Sequence, residues 1–225
     1  MTLYYNKNPF IAIIGDIRNS RKLETRKLVQ DKLGRVLEEI NSKYQKDIIS
    51  NFVITLGDEF QGLLSGGNHI LQIIDEIRGK LYPVELRFGI GIGRITTDID
   101  TKMALGADGP GYYKARNAIE ILKENEKKNK AVISDIRIEA EDANIVPVVL
   151  INTIFELIKA IEQDWTDRQR EIIWDMQEHQ DGQKQVAERF GIGQSSVSKV
   201  FLKGKYYVYA KSKKNVEEIL GAVKL

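Results

Sequence analysis

Two aspartates stand at places in the sequence where a divalent metal ion could be held. Asp16 follows the apolar run Phe10-Ile-Ala-Ile-Ile14, and Asp58 follows Gly57 between two further apolar runs. Such runs predict buried strands, so each carboxylate lies at a strand end. Two carboxylates that meet at one edge repel each other unless a cation neutralises them, and Mg²⁺ typically combines one or two protein carboxylates with water and phosphate oxygens. The pair therefore predicts a site for Mg²⁺ or Mn²⁺.

The segment after Asp16 is suited to bind phosphate. It leads into a helix predicted over residues 21–46, and the first backbone N–H groups of a helix lack partners within it. The candidate nucleotide or phosphate ligands lie around this helix start and the following hairpin turn: Ile17, Arg18, Asn19, Ser20, Arg21 and Gly57. An alternative stays open, in which Asp16 caps the helix and Asp58 is a simple turn residue. Glu59 is expected to be exposed, because it points to the strand face opposite Phe60.

A second candidate site lies near the end of the chain, in residues 183–202. Ala187 suits a position where two helices cross closely, and Gly191 suits the left-handed turn that ends the first helix. The apolar residues between and after them have the spacing that locks two short helices together: Val186, Phe190, Ile192, Val197 and Val200. This pattern predicts a helix-turn-helix unit.

The second helix of that unit, Ser195–Leu202, would carry the contacts with DNA. Residues 182–215 contain eight Lys or Arg against one Asp or Glu, directly after a segment of opposite balance. Gln can read adenine edges, whereas Ser and Lys more often hold phosphates. The predicted DNA-binding residues are Gln194, Ser195, Ser196, Ser198, Lys199, Lys203 and Lys205. A helical hairpin that docks a protein is the alternative. A homodimer is expected, because single units of this kind commonly reach specificity by pairing two half-sites.

The elements that must position these residues follow the order β-α-β-β-α-β-α-β. Strands are predicted over residues 10–14, 50–56, 59–64, 84–92 and 131–134, with helices over 21–46, 67–80 and 112–126. The fold class is α+β, a ferredoxin-like mixed antiparallel sheet with helices over one face, followed by an all-α region. The first crossover makes strands one and two parallel, so Asp16 and Asp58 reach the same sheet edge. The predicted domains are residues 1–145, called the sheet region below, and residues 146–225, called the tail.

Composition excludes several classes of protein. The 225 residues include no cysteine, so no disulfide scaffold, thiol nucleophile or cysteine-ligated zinc site can form. Neither a signal peptide nor a membrane span is evident, and a cytoplasmic location is expected.

Four segments of the sheet region resemble the palm-type core of class III nucleotide cyclases and, more distantly, that of diguanylate cyclases. They are Ile14-Gly-Asp-Ile17, Thr55-Leu-Gly-Asp-Glu-Phe60, Arg87-Phe-Gly-Ile-Gly-Ile-Gly93 and Gly106-Ala-Asp-Gly-Pro-Gly-Tyr-Tyr-Lys-Ala-Arg116. The resemblance implies a metal–nucleoside triphosphate site at Asp16 and Asp58. Tyr113 stands where those enzymes carry an Asn that orients the ribose, and Asn117 where they carry a transition-state Arg.

As a whole, the palm-like front and helical tail resemble the SatD family. The preferred hypothesis is a DNA-binding transcriptional regulator whose palm-like region binds a metal–nucleotide. The alternative is a nucleotidyl cyclase or other Mg²⁺-dependent phosphoryl-transfer enzyme, in which Arg116 would be the catalytic cation.

Overall fold

The computed structural model describes residues 9–20, 25–129, 131–141 and 145–223. Its strands form one five-stranded sheet in the order β2-β3-β1-β4-β5. The strand bounds are β1 Phe10–Ile17, β2 Ile48–Leu56, β3 Glu59–Leu64, β4 Leu86–Gly93 and β5 Ile136–Ala140. The helix bounds are α1 Arg26–Lys43, α2 Ile70–Leu81, α3 Pro110–Asn129, α4 Ile145–Gln163, α5 Asp167–His179, α6 Gln183–Phe190, α7 Gln194–Lys203 and α8 Tyr206–Gly221.

The strand order confirms the predicted α+β class. β1 is antiparallel to both β3 and β4, and β3 is antiparallel to β2, so β1 and β2 run in the same direction. These four strands with α1 and α2 make the ferredoxin-like βαββαβ arrangement. β5 adds a parallel strand beside β4, which makes the sheet mixed.

Helices cover both faces of the sheet, whereas the sequence predicted helices over one face. Along β1, Ile11 and Ile13 belong to the core that α1 and α2 cover, while Ala12 and Ile14 pack with residues of α3. The alternation follows from the two-residue period of a strand. The strand is therefore apolar throughout because both of its faces are buried.

Glycines in β4 allow α3 to approach the sheet closely. A Cβ atom added to Gly91 would lie 2.0 Å from the backbone oxygen of Gly111, and one added to Gly89 would lie 2.3 Å from that of Ala115. Any side chain at these positions would push the helix away. The Gly-Ile-Gly-Ile-Gly run thus has a packing role, with its isoleucines on the opposite face.

The last predicted strand was misplaced, and several other bounds differ by a few residues. The last strand is Ile136–Ala140 rather than residues 131–134, because the alternating Ile136 and Ile138 are buried and pair with β4. α1 begins at Arg26 with Thr25 before it, and residues 21–24 lie outside the described part of the chain.

The tail packs directly on the sheet region. The side chain of Asn152 on α4 bonds both the N–H and the C=O of Ile138, each at 2.9 Å, and so covers the outer edge of β5. Trp165 donates its indole N–H to the Gly204 carbonyl at 2.8 Å, which ties the connection between α4 and α5 to the end of α7. No helix in the described ranges is both long and apolar enough to cross a bilayer.

Candidate functional site

The structure brings Asp16 and Asp58 to the same edge of the sheet, as the crossover argument predicts. The backbone N–H of Ile17 donates to the Asp58 carbonyl at 3.1 Å, which joins the exit of β1 to the β2–β3 turn. Across β1, Asp16 lies opposite Glu59 on one side and Arg87 on the other. The topology thus explains the convergence of residues that are 42 positions apart.

The carboxylate of Asp16 is already neutralised by two cations. It accepts from Arg87 Nη1 at 2.7 Å and contacts Lys123 Nζ at 3.0 Å, and only 5% of Asp16 is exposed. Burial lowers the pKa of Arg87, but its contacts with Glu126 and Asp16 outweigh burial and hold that pKa above its usual value. Arg87 and Lys123 are site residues that the sequence prediction missed, because strand register and helix packing place them here.

The turn that carries Asp58 is fixed by Gly57 and by two hydrogen bonds. Gly57 has φ 64°, a left-handed conformation that favours glycine. Gln30 donates to the Gly57 carbonyl, and the Ser20 hydroxyl donates to the Asp58 carboxylate. Asp58 and Ser20 are therefore neighbours. In the described arrangement their side chains are hydrogen-bonded to each other.

The remaining predicted phosphate ligands have mixed placements. Ile17 is buried in the core, and Asn19 has φ 52° in the turn after β1. Arg21 lies outside the described residues. Arg18 is buried, and its guanidinium contacts Glu126 at 3.0 Å and Asp135 at 2.8 Å, so in this arrangement it serves internal carboxylates rather than the edge.

Glu59 is buried, which corrects the expectation that it would be exposed. It lies on the sheet face under α3, where Arg116 donates to its carboxylate and Thr55 Oγ1 lies 3.3 Å away. The hydrogen bond with Glu59 raises the pKa of Arg116. Arg116, the predicted catalytic cation, thus neutralises a neighbouring acid, while Tyr113 bonds Asp108 at 2.7 Å and Asn117 is exposed.

In the described arrangement, protein side chains engage both predicted metal ligands. Asp16, the more buried of the two predicted ligands, is engaged by Arg87 and Lys123, and Asp58 is engaged by Ser20. Among the residues that the structure describes, no group of three or more His, Cys, Asp or Glu side chains could hold a metal. The Asp16 carboxylate is therefore balanced by side-chain cations in this arrangement.

From Asp16 a continuous series of ion pairs leads through the sheet region to the tail, and we call it the ionic network. Arg87 joins Asp16 to Glu126 at 2.6 Å, Arg18 joins Glu126 to Asp135, and Arg78 joins Asp135 at 3.0 Å to Glu162 at 2.6 Å. The members are Lys123, Asp16, Arg87, Glu126, Arg18, Asp135, Lys159, Arg78 and Glu162.

The far end of the ionic network lies in the tail. Glu162 on α4 is 1% exposed and accepts from the Tyr209 hydroxyl of α8 at 3.2 Å. Burial, and then the nearby Glu162 charge, hold the pKa of Tyr209 well above its usual value. Lys159 of α4 reaches Asp135 at 2.9 Å. The predicted metal edge and α8 are therefore connected by direct contacts between charged and polar groups.

In the tail, α6 and α7 are two short helices joined by the three residues 191–193. Gly191 ends α6 with φ 61°, and the Ile192 N–H donates to the Ala187 carbonyl at 3.0 Å. The residues buried between the helices are Val186, Ala187, Val197 and Phe201. Of the five apolar residues predicted to lock the helices together, Val186 and Val197 are buried, whereas Phe190, Ile192 and Val200 are partly buried.

One face of α7 is open and basic. Gln194, Ser195, Ser196, Lys199 and Lys203 are exposed, and Ser198 is half-buried. No ion pair to Lys199 or Lys203 is found within the described ranges. The α7 face is defined by these residues: Gln194, Ser195, Ser196, Ser198, Lys199 and Lys203.

Other basic residues of the tail are less available. Lys205 contacts Asp164 at 3.3 Å. Lys213 is buried against Asp75 of α2, and burial lowers its pKa to about 8. Tyr206 and Tyr209 are core residues, whereas Tyr207 is exposed beside the α7 face and accepts from Gln183 at 3.0 Å.

Comparison with known proteins gives one match over most of the chain. A family model described as the SatD family matches residues 10–220. Among curated proteins, none matches this sequence.

Several solved structures share part of the fold. A bacterial light-regulated adenylyl cyclase has a TM-score of 0.40 and 14% identity, covering 58% of this chain and 74% of that one. A dimeric guanylyl cyclase domain from the aquatic fungus Blastocladiella emersonii has a TM-score of 0.40 and 15% identity, with coverage of 52% and 76%. An EAL/GGDEF domain protein from M. capsulatus has a TM-score of 0.37 and 18% identity, with coverage of 55% and 81%. These likenesses are limited, and the fold assignment above stands on the strand order itself.

Proposed function

The chain belongs to the SatD family, and we propose that it is a transcriptional regulator that binds double-stranded DNA through the α7 face. The observation that carries the proposal is the open, basic character of that face. Lys199 and Lys203 are exposed without an ion pair among the described residues, on a helix held by a small buried core. An exposed cation that no carboxylate neutralises is available to a phosphate.

The two ends of α7 suit different contacts with a duplex. Gln194, Ser195 and Ser196 stand at its N-terminus, the part of a recognition helix that commonly reaches base edges. Lys199 and Lys203 follow one and two turns later, where they would meet backbone phosphates. Phosphate contacts position a protein on DNA, and base contacts specify the sequence. Gln194 is therefore the proposed base reader, and the lysines supply affinity.

Fluorescence anisotropy with a labelled duplex tests this assignment. We expect Lys199→Ala/Lys203→Ala to bind at least about tenfold more weakly than the wild type, since each phosphate contact carries an electrostatic share of affinity. Lys32→Ala is the matched control, because Lys32 is an exposed helical lysine of the sheet region. Equal affinities for the wild type and the double variant would contradict the proposal.

The second part of the proposal concerns a nucleotide at the edge formed by Asp16, Asp58 and Arg116. Its support is the convergence of these groups and the partial exposure of the cations Arg116 (43%) and Lys123 (40%). A bound triphosphate would compete with Glu59 and Asp16 for these cations. Asp16 is the first carboxylate of the ionic network. Such competition would therefore weaken its ion pairs and, through the shared cations, alter the ion pairs that extend to Glu162 in the tail.

Thermal unfolding with each ribonucleoside triphosphate, with and without Mg²⁺, tests the nucleotide site. A ligand at 100 times its Kd stabilises by about 2.7 kcal/mol. We expect a rise in Tm that Arg116→Ala abolishes and that Lys32→Ala retains. A rise that requires Mg²⁺ and is lost in Asp58→Asn would support the predicted metal–nucleotide site. If no ribonucleoside triphosphate raises the Tm, the proposed nucleotide site is refuted, and only the proposal of DNA binding remains.

A further inference from the structure

Helix α4 has apolar side chains on two opposite faces. The inner residues Val148, Ile151, Phe155 and Ile158 are buried, with spacings of three, four and three. The outward side carries a second series with the same spacings. We call it the outer face of α4, and it consists of Leu150, Thr153, Leu157 and Ala160, flanked by Val149.

The apolar side chains of the outer face are largely exposed to solvent, which is unusual for such residues. Val149, Leu150 and Leu157 are 53%, 51% and 61% exposed, and Thr153 and Ala160 are exposed as well. A stripe of apolar residues along a helix is normally packed against another element. Contiguous exposed apolar surface marks an interaction site more often than scattered single residues do. The outer face therefore requires a partner.

We propose that the outer face of α4 is the interface of a homodimer in which two α4 helices pair in parallel. The spacing three, four, three is the a/d repeat of a two-stranded coiled coil, in which one helix accepts the identical series of another. A two-fold interface uses the same surface on both subunits, so a self-matching stripe suits a second copy. In this register, Leu150 and Leu157 occupy a positions, and Thr153 and Ala160 occupy d positions.

Charge also favours a second copy over a charged partner. The five residues of the outer face and its flank are all uncharged. The charged side chains nearby turn inward or are buried, since Lys159 reaches Asp135 and Glu162 binds Arg78. Glu156 is half-buried at the flank. Two identical copies can therefore meet here without repulsion between like charges. A basic or acidic partner would have no residue of opposite charge to pair with on this face.

The direction of pairing follows from what α4 is connected to, and this step rests on the proposed DNA binding. The C-terminal end of α4 leads through Asp164 and Trp165 into α5, and from there to α6 and α7. A parallel pair places both tails at the same end. Two α7 faces could then address two half-sites of one duplex. An antiparallel pair would place them at opposite ends.

Cysteine cross-linking tests both the surface and the direction, because the chain contains no cysteine. In a parallel pair each a position faces its own copy. We expect Leu150→Cys alone and Leu157→Cys alone to form a covalent dimer with a mild thiol oxidant, at a mass twice the 25.6 kDa chain. Leu28→Cys on α1 is the matched control, at 66% exposure. Its cross-linking at an equal rate would mean random collision and would overturn the proposal.

The native mass of the full chain completes the test. Light scattering is expected to show a dimer for the wild type and a monomer for Leu150→Glu/Leu157→Glu, with circular dichroism to show that the variant remains folded. A wild-type monomer, or a dimer that survives in the variant, would overturn the interface. Cross-links that form only in a mixture of Leu150→Cys and Leu157→Cys would overturn the parallel direction. A parallel dimer that binds no DNA would refute the proposed function and leave the interface intact.

Discussion

Replacing Asp135 by asparagine should destabilise the fold by about 3 kcal/mol. The Asp135 carboxylate receives Arg18 at 2.8 Å, Arg78 at 3.0 Å and Lys159 at 2.9 Å, and only 8% of the residue is exposed. Removing one partner from a buried ion pair typically costs ~3–5 kcal/mol, because the other charge stays buried. Arg18 keeps Glu126 and Arg78 keeps Glu162, which places the expected loss at the lower end of that range.

The assay is urea and thermal unfolding of the wild type and Asp135→Asn. For a chain of this size, about 3 kcal/mol corresponds to a Tm lower by roughly 6–12 °C. Glu124→Gln is the control, because Glu124 pairs with Lys128 at 3.7 Å with both side chains largely exposed. Such a surface pair contributes ~0–1 kcal/mol. A loss below about 1 kcal/mol for Asp135→Asn would refute the view that the ionic network holds the two regions together.

The pH dependence of the stability difference between the wild type and Asp135→Asn is an independent test of the ion pairs around Asp135. Burial raises the pKa of Asp135, but Arg78, Lys159 and Arg18 outweigh burial and hold that pKa below its usual value. A depressed folded-state pKa gives stability that is present above the unfolded-state value of about 3.9 and is lost as the pH falls. The difference between wild type and Asp135→Asn should therefore be full at pH 7 and shrink below about pH 4. A difference that grows on acidification would contradict this sign.

Two further predictions concern packing and the contact between α8 and α2. Gly91→Ala should destabilise by about 3 kcal/mol, since its Cβ would meet the Gly111 carbonyl and overpacking typically costs ~1–3 kcal/mol or more. Gly79→Ala is the control, because a Cβ there would meet nothing outside its own stretch of helix, and it should be neutral or stabilising in the same denaturation assay. Equal losses for the two variants would refute the close-approach argument. Burial lowers the pKa of Lys213 to about 8 in the folded protein, below its ordinary 10.5, so the unfolded chain binds more protons between these values. The stability of the wild type relative to Lys213→Met should rise from pH 7 to pH 10, and a constant difference across that range would contradict it.

The sequence predicts well whatever depends on local pattern and connection rules. The hairpin at Gly57 and Asp58, the alternating β4 strand and the turn at Gly191 each have a short-range signal. The position of Asp58 beside the end of β1 followed from the handedness and direction of a single crossover. Most strand and helix bounds therefore agree with the structure within a few residues.

What the sequence did not predict depends on contacts between distant segments. Arg18 forms ion pairs with Glu126 and Asp135, which lie more than a hundred residues later in the sequence. No local sequence spacing predicts these pairs. Lys123 and Arg87 reach Asp16 only because β4 lies next to β1 and α3 crosses both. The placement of α3 did leave a signal in the alternate glycines of β4, which make one face of that strand flat.

The acids around the predicted metal site have cationic side chains beside them. Two acids at one edge need positive charge, and a sequence motif does not distinguish a metal ion from side chains that supply it. Here Arg87 and Lys123 supply it to Asp16, and Arg116 supplies it to Glu59. Each of these cations is thus paired with a carboxylate of the edge.

The salt dependence of DNA binding tests the central claim most directly. Each lysine that neutralises a phosphate contributes about 0.9 to the slope of log K against log salt concentration. Relative to the wild type, Lys199→Ala/Lys203→Ala should lower the magnitude of that slope by about 2, with Lys32→Ala unchanged. A double variant whose slope equals that of the wild type would show that α7 does not lie on the DNA backbone, and the proposed function would fail.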